Sequence, residues 1–240
     1  MWSAFLTESG GNEYHLAIYT NMVIPKSNNK EKQTLSLGEV ANALAPFGVR
    51  LSDAQLLAIA RYVELLLIWN QSLDLTTICD PVEVVSRHFG ESIFAASVIP
   101  MHFGRLADVG SGAGFPGMPL KIAFPDLNVA LLEPNRKKCA FLAEVKGELG
   151  LAGVDIVRSG YEEFFASSQR FDFICSRALG NYRRLLRWAR TVLGSEGCVI
   201  LWLGVDDSVI VARTRDWRWE IPVSIPESRR RVLLVGRPVI

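Results

Sequence analysis

The 240-residue sequence is poor in the groups that build metal sites and disulfide frameworks. It has four cysteines, Cys79, Cys139, Cys175 and Cys198, far apart and with no C-x-x-C pair. That spacing fits neither a zinc site nor a secreted disulfide scaffold. Buried thiols in a reducing cytoplasm are the expected state, Cys175 and Cys198 lying in strand-like apolar runs. Its three histidines, His15, His88 and His102, are equally scattered, so no metal is expected. Charge of one sign is also lacking, with 26 Lys and Arg against 25 Asp and Glu. A strongly basic nucleic-acid binder is disfavoured on average, although local basic patches are not. Apolar runs are broken by charge before the ~18–20 residues that cross a bilayer, so no membrane span is expected. The start, "MWSAFLTESGGNEYHLAIYT", lacks a basic n-region and a clear apolar h-region and does not read as a signal peptide.

What is present is a periodic chain with a polar beginning. Residues 1–33 carry no sustained period and end in "KSNNKEKQ", which predicts a flexible tail, and Met22 is an alternative start. Residues 34–100 predict a helical subdomain. Ser36 with Glu39, and Ser52 with Gln55, form two capping boxes, the second ahead of "LLAIARYVELLLIWNQSL". Asp80, Pro81 and Glu83 open a third helix, interrupted at Gly90. From 101 to 240 the pattern alternates. The apolar runs "RLADVG", "LNVALLE", "VDIVRS", "FDFICSR" and "CVILWLG" are separated by helical stretches, including "YEEFFASS" and "NYRRLLRWARTVL". Strands of this kind alternating with helices predict an α/β fold, a parallel sheet covered on both faces. "WRWEIPVSIP" and "RRRVLLVGRP" predict a final antiparallel pair.

One stretch, "LADVGSGAGFPGMPL", packs four glycines behind the first strand. Such a turn brings backbone N–H groups up to a ligand at the carboxyl edge of the sheet. The string "GAGFPG" formally satisfies G-x-G-x-x-G, but its first glycine lies four residues past the strand and Pro116 breaks the register. A dinucleotide is therefore the weaker reading. S-adenosylmethionine is the stronger one, because Asp108 can attract an ammonium group where it would repel a pyrophosphate. Glu133, ending the second strand about 20 residues after Gly112, is placed to accept from ribose hydroxyls. Asp108 as a plain cap of the turn remains the alternative.

The string "LADVGSGAGFPGMPLKIAFPDLNVALLEPNRKKCAFL", with "YVELLLIWNQSLDLTTICDPVEVVSRHFGESI" upstream and "RSGYEEF" and "FDFICSRAL" downstream, resembles the glucose-inhibited division protein B family. These are bacterial small-subunit ribosomal RNA guanine-N7 methyltransferases. The resemblance spans about residues 50–235. It implies a class I methyltransferase fold, Rossmann-like, with a mostly parallel seven-stranded sheet behind N-terminal helices. It also implies S-adenosyl-L-methionine as cofactor and 16S ribosomal RNA, or the small subunit, as partner, with a monomer expected. The matching positions place Asp108, Gly110, Ser111, Gly112, Gly114, Phe115, Glu133, Tyr161, Glu162 and Arg177 in the cofactor pocket, with Arg177 also catalytic. Four positions depart from the family pattern. Gly160 and Leu203 stand where basic residues are usual, Asp74 replaces Asn, and Glu91 replaces Asp. They leave two alternatives, a cofactor-binding homologue without methyl transfer and a methyltransferase for a small molecule.

Guanine N7 carries a lone pair and no proton, so its methylation asks for positioning rather than a general base. A chain with no obvious catalytic triad or paired carboxylates fits that reaction. His88, beside Arg87, either lines the site or packs a helix on the sheet. Arg183, Arg187 and Arg190 share one helical face, either a phosphate stripe or a solvated surface. Arg136, Lys137 and Lys138 start a helix against the dipole preference, and Arg229 to Arg231 make a basic turn. Trp202, Trp217 and Trp219 read as sheet packing ahead of base stacking.

Overall fold

The alternation that begins near residue 105 folds into the expected sheet. The computed structural model describes residues 35–164, 170–177 and 179–239. The predicted tail and the alternative start at Met22 lie outside the described residues. Strands β1 (Gly104–Val109), β2 (Leu127–Leu132), β3 (Val154–Val157), β4 (Phe171–Arg177) and β5 (Leu193–Gly204) are parallel to one another. Strands β6 (Trp217–Trp219), β7 (Val223–Ser224) and β8 (Arg231–Pro238) supply the antiparallel region, in the order β3-β2-β1-β4-β5-β8-β6 with β7 also on β8. Trp219 faces Gly236 and Val223 faces Leu233, a register shift of one residue. β6 and β7 are therefore two pieces of one strand, parted around Pro222, which has no N–H for the ladder. Eight strands thus fill seven positions.

Side-chain alternation along each strand assigns the layers. Leu106, Leu131, Cys175, Ile200, Trp202 and Leu233 face one core, shared with α1 (Leu37–Leu44), α2 (Asp53–Leu73), α5 (Gly117–Ala123) and α6 (Arg136–Glu148). Ala107, Leu132, Ile174, Leu201 and Leu203 face the other, under α7 (Tyr182–Val192) and α8 (Val205–Val211). The chain between the first two helices and the sheet is short-pitched: α3 (Pro81–Val84), a π-helical turn (Val85–Gly90), α4 (Glu91–Ile93) and a 3-10 turn (Phe94–Ser97). The interruption expected at Gly90 is this π turn, where a Cβ would lie 2.4 Å from the Phe47 ring.

Both capping boxes form as read. Gln55 does more than cap α2, since its Nε2 also donates to Ile122 O (2.8 Å) and Ala123 O (2.9 Å) at the end of α5. That bond fixes the first helical layer onto the element that follows the glycine loop. Helix α2 is the one long apolar helix among the described residues. By length and composition it is apolar enough to cross a membrane. Inside the fold, however, Leu56, Ile59, Ala60, Tyr62, Val63, Leu65 and Leu66 are buried in the core. Two boundaries differ. The helix expected over "YEEFFASS" is a single 3-10 turn, Tyr161–Glu163, before residues that are not described, and α8 was not foreseen. Cys175 and Cys198 are buried free thiols, as read.

Candidate active site

The glycine loop is held from three sides. Gly110 N and Ser111 N both donate to Leu132 O (2.9 and 3.3 Å), carrying the β1–β2 pairing past the strand end. Ser111 Oγ closes the turn onto Asp108 O at 2.9 Å. Tyr62 Oη, from α2, donates to Ala113 O at 2.6 Å. Gly110, Gly112 and Gly114 all have positive φ (73°, 58° and 86°), the left-handed region that disfavours side chains. Their surroundings differ. A Cβ on Gly114 would lie 2.3 Å from Tyr62 Oη and 2.8 Å from Met118, so that glycine serves packing. A Cβ on Gly110 or Gly112 meets nothing closer than 3.4 Å. The open side of the loop is therefore at Gly110 and Gly112, where a ligand has room.

Two carboxylates hold this loop. Glu133 is almost buried and bridges two loops, Oε2 accepting from Gly112 N (2.9 Å) and Oε1 from Asn135 N (2.8 Å). Each of its oxygens keeps a further lone pair for a hydroxyl donor. Asp108 is fully buried under the loop, and Oδ2 accepts from Gly117 N at 2.9 Å, the first residue of α5. The capping role held open from the sequence is thus real. The other oxygen, Oδ1, is buried with no hydrogen-bond partner. Burial pushes this carboxyl up to about 7, opposed by the bond from Gly117 N and by the nearby Cys175 thiol and Ser111 hydroxyl, neither of which makes a hydrogen bond of normal geometry to Oδ1. A buried carboxylate oxygen without a donor, beneath a loop whose Gly110 and Gly112 carry no side chains, fits a cationic ligand rather than a phosphate.

The other expected pocket residues divide. Ser111 is spent on the turn itself. Phe115 is buried and stacks on His88 (centroids 4.6 Å) and Tyr62 (5.6 Å), so it is core. Tyr161 packs edge-on against Trp188 at 5.5 Å, and Glu162 pairs with Arg184 at 2.9 Å on the surface. Both follow β3 at the carboxyl edge, and neither touches Glu133 or Asp108 by any hydrogen bond or ion pair. Arg177 ends β4 but turns inward. Its Nη1 donates to Arg87 O (3.0 Å), its Nη2 lies 3.4 Å from Glu91 Oε2, and only 16% of its side chain is exposed.

That contact belongs to a cluster which the sequence did not announce. Glu91 is 1% exposed and meets three arginines from three parts of the chain. They are Arg177 on β4, Arg87 one helical turn before it (3.6 Å), and Arg231 opening β8, which hydrogen-bonds Glu91 Oε1. Trp202 Nε1 donates to the Glu91 carbonyl at 2.8 Å, which makes Trp202 a sheet-packing residue as read. Burial raises the Glu91 carboxyl above its ordinary range even though the three guanidiniums pull it down. His88 lies beside this cluster with Nε2 on Thr76 Oγ1 at 2.8 Å. Desolvation first, then Arg177, Arg87 and Arg231, push it down to about 3, so it is neutral near pH 7.

The surface arginines also separate. Arg190 pairs with Asp216 (3.5 Å) and donates to Val239 O, a structural tie at the far end of α7. Arg183 and Arg187 remain exposed on the same helix. At the start of α6, Asn135 Oδ1 accepts from Lys137 N and Lys138 N, so its basic first turn is compensated by a side-chain cap.

Comparison with known proteins bears on this arrangement. The family model described as rRNA small subunit methyltransferase G matches residues 55–219. A ribosomal RNA small subunit methyltransferase G from Chromobacterium violaceum is 38% identical over 174 residues, covering 72% of this chain and 81% of that protein. The protein of the same name from Pseudomonas paraeruginosa is 36% identical over 206 residues, covering 83% and 94%. Among solved structures, a SAM dependent methyltransferase from Aquifex aeolicus superposes with TM-score 0.58 at 14% identity, over 70% of this chain and 97% of that one. At that identity the likeness concerns the fold, a class I methyltransferase sheet.

Proposed function

The chain belongs to the rRNA small subunit methyltransferase G family, and from that premise we propose that it methylates N7 of a guanine in 16S ribosomal RNA, with S-adenosylmethionine as donor. The observation that carries the donor assignment is Asp108, whose buried Oδ1 has no partner beside a loop open at Gly110 and Gly112. A pyrophosphate would meet this carboxylate with repulsion, and an ammonium group would satisfy it. When bound, S-adenosylmethionine supplies an electrophilic methyl group on a cationic sulfur. Asp108 and Glu133 would hold its charged and hydroxylated ends, with Gly110 and Gly112 leaving the backbone approachable.

The remaining work for the protein is placement. N7 needs no base to remove a proton, so an in-line approach to the methyl group carries the rate. The neutral His88 agrees with that demand, because its environment holds it unprotonated and buries its Nδ1 without a partner. Asp108, Glu133, Arg177 and Arg231 all project from the strand ends toward the helical layer, following the alternation described above. The acids lie over β1 and β2 and the guanidinium groups over β4 and β8, so donor and RNA would meet near β4. A cytoplasmic location accords with such a substrate.

The experiment is a map of N7-methylguanine in 16S RNA from cells with and without the gene. Loss of one modified guanine is expected, and an unchanged map overturns the reading. A second reading has one observation in its favour. Leu203, where the resembled family carries a basic residue, is 2% exposed within the core, and Gly160 offers no side chain. A protein that binds the donor without transferring its methyl group would show donor binding by calorimetry and no change in the map.

A further inference from the structure

The turn between β7 and β8 is tightly made and strongly basic. Ser228 N donates to Ile225 O (3.2 Å), Ile225 N to Arg231 O (3.1 Å), and Arg231 N to Ser228 Oγ (3.2 Å). Glu227 sits in the left-handed region at φ 57°. These bonds hold Arg229 and Arg230 outward, both exposed, and among the described residues neither forms an ion pair. Facing them across a cleft of about 330 Å³ is Arg87, and the lining is completed by Arg231, Ser228 and Glu227. Four guanidinium groups against Glu227 in the lining and Glu91 beneath it make this cleft more positive than the nearly neutral chain average.

The floor of the cleft is preset. Arg87 and Arg231 are both anchored on the buried Glu91, Arg87 through Nε at 3.6 Å and Arg231 through Nη2, and both Nε atoms are turned inward. Their side chains remain 33% and 24% exposed, so part of each fork faces the cleft. Guanidinium forks held from behind by one carboxylate and partly exposed in front match a phosphate oxygen pair. Position agrees with this. Arg231 pairs with Gly204 at the end of β5, on the same carboxyl edge as Asp108 and Glu133. β8 stands three strand spacings from β1, about 14 Å at ~4.8 Å each. The cleft therefore lies beside the donor loop without overlapping it.

We propose that this cleft, formed by Arg87, Arg229, Arg230 and Arg231, binds a backbone phosphodiester of the RNA next to the target guanine. The assignment rests on the RNA methyltransferase reading above. It gives the chain a phosphate contact on the β8 turn in place of the basic side chains that Gly160 and Leu203 do not provide.

The test uses the full chain and 16S RNA, with binding measured from 50 to 200 mM salt. Arg229→Ala with Arg230→Ala removes two exposed, unpaired charges and leaves the Glu91 cluster intact. The logarithmic salt slope should fall by about 1.4–1.8, so affinity lost across that salt range should shrink about tenfold. Donor affinity by calorimetry and the choice of guanine should not move. A wild-type salt slope in the double variant overturns the proposal. Because RNA binding is read apart from methyl transfer, it stands or falls even if wild-type protein leaves the methylation map unchanged. Titration with inorganic phosphate distinguishes the source of the group. A site for an RNA phosphodiester should give no saturable binding of free phosphate. Saturable phosphate binding that vanishes in Arg231→Gln while RNA binding persists would assign the cleft to free phosphate and refute the RNA assignment.

Discussion

Replacing Asp108 by Asn should change how stability depends on pH, and by a calculable amount. In the folded protein this carboxyl is pushed up to about 7 from an ordinary value of 3.8. An acid whose folded pKa is raised binds its proton more tightly when folded. Its contribution to stability is therefore greatest at low pH and is lost as pH rises toward 7. Between pH 5 and pH 7 the loss is about two units at ~1.36 kcal/mol each, or about 2–3 kcal/mol. Above pH 7 little further change is due to this group. Asparagine has no proton to lose, and its carbonyl oxygen can still accept from Gly117 N. Urea unfolding of both proteins at pH 5, 6, 7 and 8 measures the difference. The wild-type protein should lose about 2–3 kcal/mol more than Asp108→Asn across this range. Saturating S-adenosylmethionine should remove most of that difference in the wild type, because an ammonium ion beside Oδ1 favours the ionised carboxylate. Parallel pH profiles for the two proteins would refute the reasoning.

Three further outcomes are expected. Gly114→Ala combines a left-handed backbone with a Cβ 2.3 Å from Tyr62 Oη, and should cost about 2–5 kcal/mol from strain and overpacking. Gly112→Ala should cost only about 1–2 kcal/mol and should instead weaken donor binding, so equal destabilisation of the two in urea would contradict the division of the loop. Glu91→Gln leaves three guanidinium groups facing a neutral amide and should cost about 2–4 kcal/mol, with Glu91→Asp recovering part of it; an unchanged urea midpoint would show the cluster contributes nothing. Arg177→Ala should lower methyl transfer to RNA while donor affinity by calorimetry stays near wild type, and full transfer would remove Arg177 from the site.

The parts legible from sequence were those with local signals. The capping boxes at Ser36 and Ser52, the Asp80–Pro81 start and the strand–turn–helix at Asp108 to Gly117 each depend on residues within a few positions of one another. Helix α8 was missed because Val209 and Ile210 are apolar yet about half to two-thirds exposed, which blurs its period. The Glu91 cluster was illegible for a different reason. Arg87, Glu91, Arg177 and Arg231 meet only when the π-helical turn, β4 and β8 converge, and no period or spacing connects them. The same holds for the pair Arg184–Glu162, and for Arg190–Asp216, which takes one member out of the Arg183, Arg187 and Arg190 face that looks uniform in the sequence. Asp108 was half legible: its place at the strand end marked it, but only the folded loop shows that one oxygen caps α5 while the other is spare.

The hydroxyl of Tyr62 joins the carbonyl of Ala113 across fifty-one residues of chain, and its ring covers Gly114. The curvature of the glycine loop is thus a joint property of two distant stretches of one gene. A chimera that grafted residues 104–239 onto foreign helices would arrive with that carbonyl orphaned and a hole where the phenol had been. This lineage could vary the side chains at Arg229 and Arg230 freely, since among the described residues neither makes an ion pair, and the bond that Val205 N donates to the Arg230 carbonyl belongs to the backbone. It could not exchange the helix above its loop, and recombination within this family should leave those two stretches inherited together.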